Sequence, residues 1–146
     1  MDTSYFRDIV SSLEKALYYE RGGGGYFRAT MVGTDFIDRQ DIRGKTPVEV
    51  IENCIKAFVA NKMLDNISYQ KDESGEFLTF KVGGCSHLSV EARLKEEGVP
   101  SFVCAPVNMI LHKIRQITDL AVEIADITVN QENGECVIRV VVFKQN

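Results

Sequence analysis

The dipeptide Asn133-Gly134 constrains the fold more than any other feature of this chain. Asn-Gly is the strongest short-range hairpin signal, because a tight hairpin turn needs positive φ at its centre. Alternating segments flank the stretch Glu132-Asn133-Gly134, Val122–Val129 before it and Glu135–Phe143 after it. In the second segment Cys136, Ile138, Val140 and Val142 fall on one face, which is expected to be the core face. A second hairpin is predicted upstream. There Ile67–Lys71 and Phe77–Val82 flank Asp72-Glu73-Ser74-Gly75, and Leu78, Phe80 and Val82 share a face.

The remaining periodicity is helical. Tyr5, Phe6, Ile9, Val10, Leu13, Ala16 and Leu17 form an apolar stripe that predicts an amphipathic helix over residues 3–20, stopped by Gly22–Gly25. Thr46-Pro47-Val48-Glu49 is a capping box with proline at the first helical position. It opens a helix running to about Met63 that buries Ile51, Cys54, Ile55, Phe58 and Val59. A short helix is expected from Leu88 to Glu97, ended by Gly98, and a longer one from Pro106 to Thr118, burying Val107, Ile110, Leu111, Ile114 and Ile117. Tyr26–Ile37 fits either a strand or a loose apolar segment, and the charged stretch Asp38–Lys45 is expected to be solvated. No internal repeat or linker divides the chain. The pattern predicts one α+β domain over residues 1–146, an antiparallel sheet of two hairpins packed against helices.

Composition narrows the function. The net charge of −4 argues against a partner held by phosphate neutralisation, so no nucleic acid is expected. No apolar run approaches the length of a membrane helix, and the first residues carry no leader pattern. A cytoplasmic, reducing setting is therefore expected, in which the four cysteines are buried, metal-bound or catalytic rather than paired as disulfides.

Three of those cysteines and one histidine are candidate metal ligands: Cys85 and His87 at i, i+2, then Cys104 and Cys136. Thiolate and imidazole are the donors zinc prefers, and four of them close a tetrahedral structural site. No Cys-x-x-Cys pair is present, so no zinc-finger spacing is met. Cys85 closes the second strand, Cys136 lies on a core face, and Cys104 starts a helix, where the dipole favours thiolate. The competing reading makes Cys104 and Cys136 buried apolar thiols and His87 an exposed residue at a helix start. Cys54 reads as a core thiol, His112 as a surface histidine, Glu96-Glu97 as a solvated helix end, and Arg21 with its four glycines as a helix stop rather than a phosphate loop.

Over roughly residues 76 to 143 the chain resembles the 4-vinyl-reductase-type, or hydrocarbon-binding, sensor domain. The residues that carry the resemblance are Cys104 at the start of the helix Pro106–Thr118, Cys136 in Asn133-Gly134-Glu135-Cys136-Val137, and Cys85 or His87 as an upstream donor. Two features depart from that family. Ala105-Pro106-Val107-Asn108 replaces the usual glycine- and aromatic-rich continuation, and Thr128 and Asn130 stand near the place of an earlier hairpin cysteine. The resemblance implies zinc, a homodimer, and a pocket for an apolar or aromatic small molecule.

Two functional classes stay open at this level. One is a ligand-binding or sensing module with a structural zinc, whose pocket draws on Phe58, Phe80, Phe102 and Met109 unless these are ordinary core. The other is a small enzyme, either a metal-assisted hydrolase or a thiol enzyme with Cys104 as nucleophile and His87 as base. In either class the N-terminal helix is a candidate dimerisation element, because its wide stripe requires cover.

Overall fold

The computed structural model describes residues 3–21 and 28–143. Within them the order is α1 (Ser4–Arg21), α2 (Thr34–Asp38), α3 (Pro47–Ala60), β1 (Asn66–Lys71), β2 (Phe77–Gly83), α4 (Leu88–Glu96), α5 (Ala105–Ile117), β3 (Ala121–Asn130) and β4 (Glu135–Phe143). The fold is α+β, with one four-stranded antiparallel sheet in the order β1-β2-β4-β3. Both expected hairpins form, and β2 pairing with β4 joins them into one sheet. The register places Leu78 opposite Val140, Phe80 opposite Ile138 and Val82 opposite Cys136, all buried on one face. Cross-strand apolar pairs of this kind hold the register, since a slip by one residue would turn the whole set to solvent.

Helices α3 and α5 cover that face. The capping box at the start of α3 is complete. Thr46 Oγ1 accepts from the Glu49 N–H at 3.3 Å, and Glu49 Oε2 accepts from the Thr46 N–H at 3.4 Å. The buried face of α3 is Val50, Ile51, Cys54 and Phe58, with Val59 turned outward. Helix α5 contributes Val107, Met109, Ile110, Leu111 and Ile114 to the same core. Ile117, expected to be buried, is half-exposed at its last turn.

Two segments differ from the sequence expectation. Residues 28–37, open in the sequence between a strand and a loose apolar segment, form a helical turn, tight turns and α2. Gly33, at φ +94°, caps α2, and a Cβ there would stand 2.8 Å from Met109 Cε, so the close approach to α5 depends on glycine. Tyr26, Phe27 and the stop expected at Gly22–Gly25 lie outside the described residues.

The second difference is the orientation of α1. Its apolar stripe faces outward, with Tyr5 66% and Leu13 64% exposed, while Ser11 and Glu14 are buried against the domain. The inward side of α1 makes charged contacts along α4. Asp8 pairs with Arg93, Lys15 pairs with Glu97 at 3.1 Å, and Glu14 reaches His87. Leu17 and Tyr18 add apolar contact to a small second core of Ala29, Val90, Leu94, Val99, Phe102 and Val103.

Candidate metal centre

The four proposed ligands start from three separate places in the chain, and the fold brings them to one end of the sheet. Strand β2 ends at Gly83, and Gly84 turns the backbone at φ +63°. A Cβ on Gly84 would collide with the Asp65 side chain, so only glycine makes this turn without displacing its neighbour. The Gly84 N–H donates to the Gly134 carbonyl at 3.0 Å, tying the end of β2 to the β3–β4 turn. Cys85 and His87 follow directly, and His87 starts α4. Cys104 occupies the N-cap position of α5, held by the Asn108 N–H donating to its carbonyl at 2.9 Å. Cys136 enters from β4, opposite Val82.

Cys85, His87, Cys104 and Cys136 line one small cavity of about 10 Å³, the space of a single water-sized sphere. Glu91 lines it too, together with the apolar walls Val82, Leu88 and Ile127. The thiols are electrostatically close. Burial raises the Cys104 pKa, the Val107 backbone opposes it, and the Cys85, Cys136 and Glu91 charges add to the rise. Burial likewise pushes the Cys136 thiol up to about 11, with Cys85 and Glu91 contributing, and it raises Cys85. Burial thus outweighs the helix-terminus effect expected at Cys104, and the metal-free thiols are held protonated. A zinc ion bound at about 2.3 Å from each sulfur would bring the sulfurs to roughly 3.8 Å from one another. They do not form a set within 4.8 Å of one another, so loading such an ion requires at least one thiol to turn inward.

His87 sits between two carboxylates rather than among the thiols alone. Its Nε2 lies 2.7 Å from Glu14 Oε2, and its Nδ1 lies 3.3 Å from Glu91 Oε1. Burial disfavours the imidazolium, but the hydrogen bond that His87 donates to Glu14 and the charges of Glu14 and Glu91 outweigh it and raise the His87 pKa. Glu91 is only 3% exposed, and neither of its oxygens has an aligned hydrogen-bond donor, although Ser101 and His87 lie close enough to favour its charge. Burial dominates and raises its pKa. Glu14 is 7% exposed, and its Oε1 is also without a partner.

The residues expected to form a ligand pocket separate into two groups. Phe58, Phe80 and Met109 are buried in the main core among α3, α5 and the sheet. Phe102 belongs to the second core and lines a cavity of about 510 Å³ with Asn108, Arg115, Glu123 and Ile124, between α5 and the edge strand β3. Its volume is in the range of small-molecule sites. Cys54 is a core thiol, pushed by burial to about 12. His112 is half-exposed and pairs with Asp38 at 3.0 Å.

Glu14 and Glu91 were not singled out by sequence reasoning. Glu91 had a usable signal, since His87 and Glu91 stand at i, i+4 at the start of a helix and so share a face. Glu14 had none beyond lying off the apolar stripe. No helix among the described residues is long and apolar enough to cross a membrane. In comparison with known proteins, the sequence matches no family model and no curated protein.

Proposed function

We propose that this chain is a small-molecule-binding module anchored by a structural zinc ion. Cys85, Cys104 and Cys136 supply three thiolates, and the fourth donor comes from the His87–Glu91 side of the cavity. The observation that carries the reading is the convergence of three thiols from three separate parts of the chain on one ion-sized cavity with an imidazole and a buried carboxylate at its wall. Thiolate-rich sets select zinc among the common divalent ions. A wall of Val82, Leu88 and Ile127 leaves little room for an exchangeable water, which favours a structural role over a catalytic one.

The ligand-binding part rests on the cavity beside Phe102, whose wall combines Phe102 and Ile124 with Asn108 and Arg115. An apolar or aromatic body with a polar end suits that lining. The resemblance to the 4-vinyl-reductase-type sensor domain points the same way. It also supports a homodimer, for which the outward stripe of α1 is the candidate surface, and a cytoplasmic setting suits four unpaired cysteines.

A thiol-enzyme mechanism has less support. Burial raises the Cys104 pKa, and both ring nitrogens of His87 face carboxylates rather than a nucleophile. Elemental analysis of protein purified without chelator tests the proposal. The expected result is one thiol-bound equivalent of zinc; a folded, metal-free protein that takes up no zinc contradicts it.

A further inference from the structure

Glu14, His87 and Glu91 come from two helices that the sequence separates by more than sixty positions, yet their ligand atoms all lie within 4.8 Å of one another. This trio faces α1 and differs chemically from the thiols. It offers two carboxylates and one imidazole, hard and borderline donors that suit manganese or ferrous iron rather than a thiophilic ion.

Its electrostatics are incomplete as it stands. With both carboxylates ionised and His87 neutral, two negative charges are buried together. Protonating His87 removes only one of them. Oε1 of Glu14 has no hydrogen-bond partner, and neither Glu91 oxygen has an aligned donor although His87 Nδ1 stands 3.3 Å from Glu91 Oε1 and Ser101 is close; the Glu91 and Glu14 side chains are 3% and 7% exposed. A buried polar atom without a partner costs about 1–3 kcal/mol, more when charged, and such groups in folded proteins call for an explanation such as a bound ion. One divalent cation would neutralise two carboxylates and give partners to the orphaned oxygens at once.

We infer that Glu14, His87 and Glu91 form a second cation site, suited to a hard divalent metal and filled when no zinc occupies the thiols, because it shares its His87–Glu91 side with the thiol site. Glu91 stands between the two, because it also lines the thiol cavity. The second ion binds Glu14 on α1 and His87 and Glu91 on α4, so it ties the N-terminal helix to the domain. The surrounding pairs Asp8–Arg93 and Lys15–Glu97 already hold α1 in register, so the donors stand close before any ion arrives. The site does not depend on the thiols being metallated. Its rival occupant is a proton shared between His87 and the carboxylates.

Manganese separates these cases, because it avoids thiolates and free aqueous manganese has a countable electron paramagnetic resonance signal. The full chain, stripped with chelator under reductant and shown to be folded by circular dichroism, is titrated with manganese chloride. The expected result is loss of the free-manganese signal up to one equivalent. Glu14→Gln should weaken uptake at least about tenfold, the lower end of what even an outer-shell partner contributes to a metal site. Cys136→Ser should leave manganese uptake intact. Cobalt–thiolate absorption should be lost in Cys136→Ser and kept in Glu14→Gln, so failure of the thiol site and failure of this site give different patterns. A folded wild-type protein that leaves the manganese signal unchanged at millimolar metal overturns the inference, and that arm needs no variant to fold. Uptake by Glu14→Gln equal to wild type overturns it as well.

Discussion

Glu14 Oε2 and His87 Nε2 lie 2.7 Å apart across 73 positions of sequence, and this contact ties the N-terminal helix to the candidate metal centre. It lies on the polar side of α1, which faces inward while the apolar stripe faces solvent. Removing it should loosen the helix without unfolding the sheet. Glu14→Ala is expected to cost about 1.5–3 kcal/mol, the range for hydrogen bonds to charged groups. Amide exchange in residues 4–21 should accelerate while exchange in β2 and β4 stays slow. Uniform acceleration throughout the chain would show that the contact is not local to α1.

Cys104 and Cys54 should respond differently to the same substitution. Both are buried thiols, but Cys104 lines the ion-sized cavity and Cys54 packs in the core of α3. Cys104→Ser should lower zinc content and thermal stability together, because binding free energy at such a site is folding free energy. Cys54→Ser should cost stability, about 1–3 kcal/mol for a buried hydroxyl without a partner, and leave zinc content unchanged. Metal analysis alongside thermal melts distinguishes the two.

The raised thiols predict opposite alkaline behaviour for the metal-free and zinc-loaded protein. In the unfolded chain a cysteine ionises near its ordinary value of 9.0, whereas folded Cys136 holds its proton to about 11. The unfolded state therefore binds fewer protons between those values, and stability falls as pH rises through them, by up to about 1.4 kcal/mol per pH unit for each such thiol. Zinc-bound thiolates have already lost their protons, so the loaded protein should keep only the decline that the core thiol Cys54 contributes, and zinc should bind more tightly as pH rises. Denaturant titrations of both forms from pH 8 to 11 measure it. Identical slopes would mean that the thiols are not the ligands.

The outward stripe of α1 predicts a homodimer. Leu13→Asp places a charge in the middle of the exposed face and should give a monomer with the fold intact. Sedimentation checks this, and a wild-type chain that is already monomeric at micromolar concentration removes the dimer.

Phe102 and Phe58 test where a ligand binds. Phe58→Ala should cost about 3–5 kcal/mol as a core truncation. Phe102→Ala should change the affinity for an apolar fluorescent dye, because Phe102 lines the 510 Å³ cavity and Phe58 does not. Equal dye binding by Phe102→Ala and wild type would move the pocket elsewhere.

Much of this architecture was legible in the sequence because its signals are local. Asn133-Gly134 marks a turn by backbone preference alone, and Thr46-Pro47-Val48-Glu49 marks a helix start by reciprocal hydrogen bonds. The alternation around Cys136 places it on the core face, and its register opposite Val82 follows from the sheet. The sequence could not reveal the orientation of α1. An apolar stripe normally faces the core, and here it faces outward while Asp8, Lys15 and Glu14 on the inward side pair with Arg93, Glu97 and His87. Glu91 drew no reading of its own, because spacing alone does not show that a helical carboxylate is buried beside His87 and Glu14. The sequence left residues 26–37 open between a strand and a loose segment because the alternation there gave no sign of Gly33, whose left-handed backbone starts α2.

Cobalt substitution of the chelator-stripped protein tests the central claim most directly, because the spectrum reports both the number of thiolates and the coordination geometry. The account predicts intense thiolate-to-cobalt bands and a tetrahedral pattern for three sulfurs and one harder donor, unchanged by added cyanide and lost in Cys104→Ser. A folded protein that gives only the weak spectrum of cobalt bound to oxygen and nitrogen, with no thiolate band, would contradict it.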